Sequence, residues 1–111
     1  MKPDLLNLFI QDTDTMIELL SELMQIESPT SDKAAVDRKG ERIRHELEAI
    51  GAEVEVHQRE AVGDILVGRW NMDRPGKPIL FVCHMDTVHP IGMLARNPVR
   101  IEDGLLYGPG A

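Results

Sequence analysis

Five apolar residues in a row, Ile79-Leu80-Phe81-Val82-Cys83, constrain this chain more than any other stretch. An unbroken apolar run bounded by turn residues reads as a β-strand buried on both faces. Pro78 suits the start of such a strand, where a missing N–H costs least. The pattern then changes in one step to His84-Met85-Asp86-Thr87. This predicts an imidazole and a carboxylate at the C-terminal end of a central strand, where open α/β sheets place their ligands. Spaced by two, His84 and Asp86 face the same side while the chain stays extended. A histidine binds a metal through one ring nitrogen, and a carboxylate nearby fixes a ligand's orientation. An isolated His-x-Asp is more often an ordinary satisfied histidine. Its place at a strand end, before a turn-rich segment, strengthens the metal reading.

The chain has 111 residues, which allows one small domain at most. Such a chain buries roughly 60–70% of its unfolded surface, enough for a modest core. Apolar residues make up 42% and charged residues 28%, as in water-soluble globular proteins. Twelve Lys and Arg against nineteen Asp and Glu leave a net charge of −7. That balance disfavours a nucleic-acid partner, and simple solubility accounts for the acidity. A single cysteine, Cys83, excludes an internal disulfide framework. Its setting in an apolar run predicts a buried, inert thiol. No secretory leader is legible, and no apolar run approaches the ~20 residues that span a bilayer. A cytoplasmic protein with no membrane partner is the expectation.

In chain order, Asp4 to Ile10 predicts a short helix packed on the body. Thr15 with Glu18 three residues later fits a capping box for a second helix. Met16, Ile17, Leu20, Leu23 and Met24 give that helix an apolar stripe, read as core. Ser28-Pro29-Thr30-Ser31 ends it, since Pro29 pushes Ser28 out of the α region. Ser28 and Ser31 have no visible nucleophilic partner, and turn and capping roles suffice for them. Ser31 or Asp32 caps the next helix, Lys33 to Ile50, whose apolar face is Val36, Ile43, Leu47 and Ile50. Gly40 lies near that face and suits close packing. Gly51 falls where a left-handed C-terminal residue belongs. Ala52, Val54 and Val56 alternate with Glu53, Glu55 and His57, the period of a half-exposed edge strand. Ile65 to Trp70 is a second strand. After the central run, Ile91 to Arg96 makes one helical turn. Asp103-Gly104, between Val99–Ile101 and Leu105–Tyr107, signals a hairpin. His45 and His57 fall among charged neighbours and read as solvated. Long helices followed by strands point to an α/β layer architecture.

Two blocks carry a resemblance. His84-Met85-Asp86-Thr87-Val88 with Pro90 and Gly92, and then Leu106-Tyr107-Gly108-Pro109-Gly110, are similar to the zinc exopeptidase family. That family includes glutamate carboxypeptidase, acetylornithine deacetylase, succinyl-diaminopimelate desuccinylase and aminoacylase. The glutamate carboxypeptidase branch is the most alike, and the likeness extends to Ile26-Glu27-Ser28-Pro29. Cys83 departs from the pattern, where the family usually has Gly. The resemblance implies an α/β catalytic domain, of which residues 1–111 form the N-terminal part: two long helices, then a mixed sheet. It implies His84 as a ligand of one of two zinc ions, with cobalt as a substitute. It implies Asp86 as the catalytic carboxylate that orients a ligand. The implied substrates are small peptides or N-acyl amino acids, cleaved at the amide bond.

In the family, Tyr-Gly-Pro-Gly leads within a few residues to an Asp that bridges the metals. The general-base Glu, the remaining ligands and a dimerisation domain follow later. Those positions fall beyond Ala111. The resemblance therefore implies a chain that is inactive by itself, with homodimerisation a property of a longer protein. The competing expectation is a small non-catalytic α/β binding module, or a truncated relic, in which His-x-Asp has no catalytic role. Sequence encoding Asp-Met-Lys-Gly and Glu-Glu beyond Ala111 separates the two.

Overall fold

The structure, a computed structural model, describes residues 4–111. A short helix α1 (Leu5–Gln11) leads into α2 (Thr13–Met24). The two are nearly continuous: Asp12 donates its amide to Leu8 O and accepts from Met16 N. The second helix therefore begins at Thr13, and Thr15 lies inside it, so no capping box forms there. Helix α1 forms as expected but does not pack: Leu5, Leu6, Phe9 and Ile10 are all at least 60% exposed. Its apolar residues spread over more than half of the helix circumference, with Asn7 and Gln11 opposite, an arc wider than one neighbouring element covers. On α2 only Met24 is buried, while Met16 and Leu20 remain exposed. The expected core stripe is realised only at the C-terminal end, where the next helix crosses it.

Helix α3 (Lys33–Ala49) is capped by Asp32, whose carboxylate accepts from Ala35 N at 3.0 Å. It ends as predicted at Gly51, with φ +88°. Ala52 N donates to Leu47 O and Gly51 N to Glu48 O, the paired bonds of a Schellman motif. Ala35, Val36, Lys39 and Gly40 are its buried residues, whereas Ile50 is exposed. Strands β1 (Glu53–His57) and β2 (Ile65–Arg69) pair antiparallel and pack on α3. The loop between them is clamped to the first turns of α3. Lys33 Nζ reaches Asp37 at 2.7 Å and Asp64 at 2.6 Å. Asp64 N donates to Asp37 Oδ1, and Arg59 N donates to Asp64 Oδ1.

The one-turn helix α4 (Met93–Arg96) precedes the hairpin of β3 (Arg100–Glu102) and β4 (Leu105–Tyr107). Asp103 and Gly104 both take positive φ, +50° and +76°, as a two-residue primed turn requires. Arg100 sits 4.4 Å above the Tyr107 ring and holds the two strands together across one face. Helices with sheet make this the expected α/β class. The strands form two separate antiparallel pairs, and a parallel bridge joins Pro29 to Thr87.

The central run departs from its prediction. Ile79 to Cys83 belongs to no strand, and Ile79, Leu80, Phe81 and Val82 are 81–85% exposed. Cys83 is exposed as well, not buried. A doubly buried strand needs a neighbour on each edge and a layer over each face. Among the described residues both hairpins pair only with themselves, so none of those partners is at hand. The whole chain is correspondingly open. Its radius of gyration is 16.2 Å, against about 13 Å for a compact domain of this length. Its accessible surface is 8830 Å², against about 6,100 Å² for a compact monomer of this mass. Among the described residues no helix is long and apolar enough to cross a membrane.

The contact between the β1–β2 loop and α3 yields a test. A Cβ on Gly63 would overlap the side chain of Val36, which is 4% exposed. Gly63→Ala is expected to destabilise the chain by about 1–3 kcal/mol, the cost of overpacking. Val36→Ala in the same chain makes room for the methyl, so the double variant should lose less than the sum of the two single changes. Thermal melts followed by far-UV circular dichroism measure this; strict additivity would remove Val36 as the cause.

Candidate functional site

The His84–Asp86 segment is held by the turn between α2 and α3. Thr87 N donates to Ser28 O at 2.8 Å, and Thr30 N donates to Thr87 O at 3.0 Å. Ser28, 1% exposed, donates its hydroxyl to Met85 O at 2.8 Å. The Met85 side chain reaches back over Gly40, where an added Cβ would lie 3.3 Å from its Cε. The predicted close packing at Gly40 is therefore with the site segment itself. Gly110, at φ +81°, brings the C-terminal residues against Thr87.

His84 Nδ1 lies 2.9 Å from the Asp86 carbonyl oxygen and 3.2 Å from Asp86 Oδ1. A carbonyl only accepts, so Nδ1 carries the proton in the neutral ring. The lone pair is then on Nε2, on a side chain that is 84% exposed. That is the tautomer a metal-ligating histidine needs when its other nitrogen is supported by an oxygen. Asp86 is fixed in turn. Thr30 Oγ1 donates to its Oδ2 at 2.6 Å. The Thr30 hydroxyl first, then the backbone and His84, hold the Asp86 carboxyl below the ordinary aspartate range.

The segment borders an open cleft of about 420 Å³. Leu20, Leu23 and Ile43 line it on the helix side, with His84, Asp86 and His89 opposite. Lys39 of α3 also faces it. Among the described residues no three His, Cys, Asp or Glu converge in a manner that could hold a metal. The donor set fits one imidazole ligand with its carboxylate support. His45 pairs with Glu41 and His57 with Glu55, both exposed and away from the cleft.

Several residues of the site were not legible as such. Ser28, assigned a turn role, anchors Met85 across 57 positions of sequence. No local spacing could show that. Thr30 joins Asp86 across a similar separation. Lys39 did leave a signal: it stands three residues after Val36 and four before Ile43, on the apolar stripe of α3.

Glu27 was also missed as a positioning residue. Its carboxylate accepts from Gly92 N at 2.9 Å and from Leu94 N at 3.0 Å, pinning the turn that follows the site. Those backbone hydrogen bonds hold its carboxyl below the ordinary glutamate range, with Gly92 the largest contributor. A carboxylate with a depressed folded pKa stabilises the fold above its unfolded value, about 4.3, and ceases to as pH falls through the folded one. The Gly92 and Leu94 amide resonances should therefore titrate with an inflection below about 4.3. In Glu27→Gln that inflection should vanish. Its persistence would assign the titration to another group.

Comparison with known proteins adds an independent observation. The chain is 37% identical over 97 residues to Carboxypeptidase G2 of Pseudomonas sp. (strain RS-16). The match covers 86% of this chain and 23% of that protein, so the chain spans about a quarter of the length of the curated relative it matches. No family model matches the chain. Identity at this level over nearly the whole chain relates it to a carboxypeptidase.

Proposed function

We propose that this chain supplies the His-x-Asp segment of a metal-dependent amide hydrolase of carboxypeptidase type, as the N-terminal part of a longer catalytic unit. The observation that carries this is the His84 ring. Its Nδ1 is tied to Asp86 and its Nε2 is left free at the edge of an open cleft. The similarity to Carboxypeptidase G2 supports the same assignment. The substrates are small peptides or N-acyl amino acids, and the whole protein is a cytoplasmic homodimer.

In this role His84 would hold one metal through Nε2, the ring nitrogen that Asp86 leaves unengaged. Asp86 orients the imidazole and raises its basicity, and Thr30 keeps the Asp86 carboxylate ionised and in place. Ser28 and Gly40 set the position of Met85, and hence of the residues on either side. Two zinc or cobalt ions, when bound, polarise the scissile carbonyl and lower the pKa of an attacking water. The exposed run Ile79–Val82 is a strand in the longer protein, covered by segments outside these 111 residues.

The 111-residue chain alone should show no amidase activity with zinc or cobalt. Turnover of N-acyl amino acids or dipeptides clearly above a His84→Ala control would contradict that. In a protein extended beyond Ala111, His84→Ala should remove one of two bound metals. Asp86→Asn should retain both while catalysis falls at least 10–100-fold, the usual cost of losing a ligand's support. Cys83→Gly, His45→Ala and His57→Ala should leave metal content unchanged. Elemental analysis beside initial rates separates these outcomes. Two metals in His84→Ala with one in His57→Ala would overturn the site assignment.

A further inference from the structure

The cleft beside His84 contains a cation that the hydrolase role does not use. Lys39 is 7% exposed, on the face of α3 that also buries Ala35, Val36 and Gly40. Lysine is almost never buried this far unless it is paired. Among the described residues Lys39 makes no ion pair and no side-chain hydrogen bond. The carboxylates on α3 that form ion pairs are engaged elsewhere: Asp37 by Lys33, Glu46 by Arg42, Glu48 by Arg44 and Glu41 by Arg44 and His45. Asp86 acts on Lys39 only through space, since its oxygens are held by Thr30 and His84. Burial weakens the ammonium's hold on its proton, and the Asp86 charge opposes that only in part.

An unpaired ammonium on the wall of an open cleft is a site for an anion. It is partly desolvated, and an arriving anion supplies the partner that burial has removed. The volume, about 420 Å³, lies within the range of small-molecule pockets. Its helix-side lining is apolar, Leu20, Leu23, Met24 and Ile43, and its polar lining includes His84 and Asp86. One cation beside an apolar helix face matches a single negative charge on an apolar body, the Asp86 carboxylate across the cleft being engaged by Thr30 and His84. A chain of net charge −7 disfavours anions of higher charge.

We propose that Lys39 forms an anion subsite in this cleft for the carboxylate of a small ligand whose apolar part lies along Leu20, Leu23 and Ile43. The site requires neither metal nor turnover, so it stands or falls apart from the hydrolase role.

Hippurate, its neutral amide hippuramide, and inorganic phosphate are the probes, titrated into the 111-residue chain in EDTA to exclude metal at His84. Calorimetry should show saturable hippurate binding, at least tenfold tighter than hippuramide, with phosphate failing to displace it. Carbon-detected titration of the lysine side chains should show the Lys39 pKa rising on addition of hippurate. Lys39→Met keeps an unbranched stem of similar length and should reduce hippurate to the affinity of hippuramide. If that variant does not fold, the Lys39 pKa in the unaltered chain decides. An unchanged pKa, equal affinity for acid and amide, no hippurate binding, or displacement by phosphate overturns the proposal. A chain extended beyond Ala111 should also bind hippurate. Loss of binding there assigns Lys39 to a carboxylate of the protein itself and equally overturns it.

Discussion

Two backbone hydrogen bonds hold this structure around its site. Thr87 N to Ser28 O and Thr30 N to Thr87 O form a parallel bridge between the α2–α3 turn and the segment after His84. The bridge spans more than fifty residues of sequence. Without it the His84–Asp86 segment would have no fixed relation to the helices. Ser28 and Thr30 then add side-chain bonds to Met85 O and Asp86 Oδ2. Closing so long a loop carries an entropic cost that grows only slowly with length. Several cooperating hydrogen bonds at one place, partly shielded from water, offset it better than any of them alone.

The energetics elsewhere are uneven. Among the described residues, Met24 of α2 and Ala35 and Val36 of α3 form the buried apolar core, with Val36 against Gly63 of the β1–β2 loop. Around it, ion pairs organise the helix surfaces and the β1–β2 loop. Arg42 links Glu22 of α2 to Glu46 of α3, at 2.7 and 2.8 Å. Pairs this exposed contribute little to stability and are weakened by salt. The larger driving force, burial of Ile79 to Val82 and of the α1 residues, is not realised within these residues. Large exposed apolar patches are uncommon on soluble monomers and mark interaction surfaces.

The chemistry of the site follows from support rather than from the histidine itself. A histidine after an apolar run is common and in most settings does nothing. Here the Asp86 carbonyl selects the Nδ1–H tautomer, and Thr30 fixes the carboxylate that shares Nδ1. Glu27 pins the turn that follows the site segment, and Gly110 lies against Thr87. The electrostatic balance is also local. In an acidic chain, the one buried cation among the described residues, Lys39, lines the same cleft as the candidate metal ligand.

Sequence by itself determined the local elements, because their determinants are local. Asp32 capped α3, Gly51 ended it, alternation specified β1, and Asp103-Gly104 made the hairpin turn. Each depends on side-chain period or on a backbone angle that few residues tolerate. His84 and Asp86 were legible as a pair because their spacing of two places them within reach of each other. Tertiary structure alone decided the rest. The burial of Ile79 to Cys83 depends on neighbours that an apolar pattern calls for but does not supply. Thr15 lost its capping role because α1 runs almost continuously into α2 through Asp12. Ser28 and Thr30 acquired their contacts with the site segment, and Lys39 its place at the cleft, only when the Pro29–Thr87 bridge set that segment against α3. No period within the sequence encodes a contact of that range.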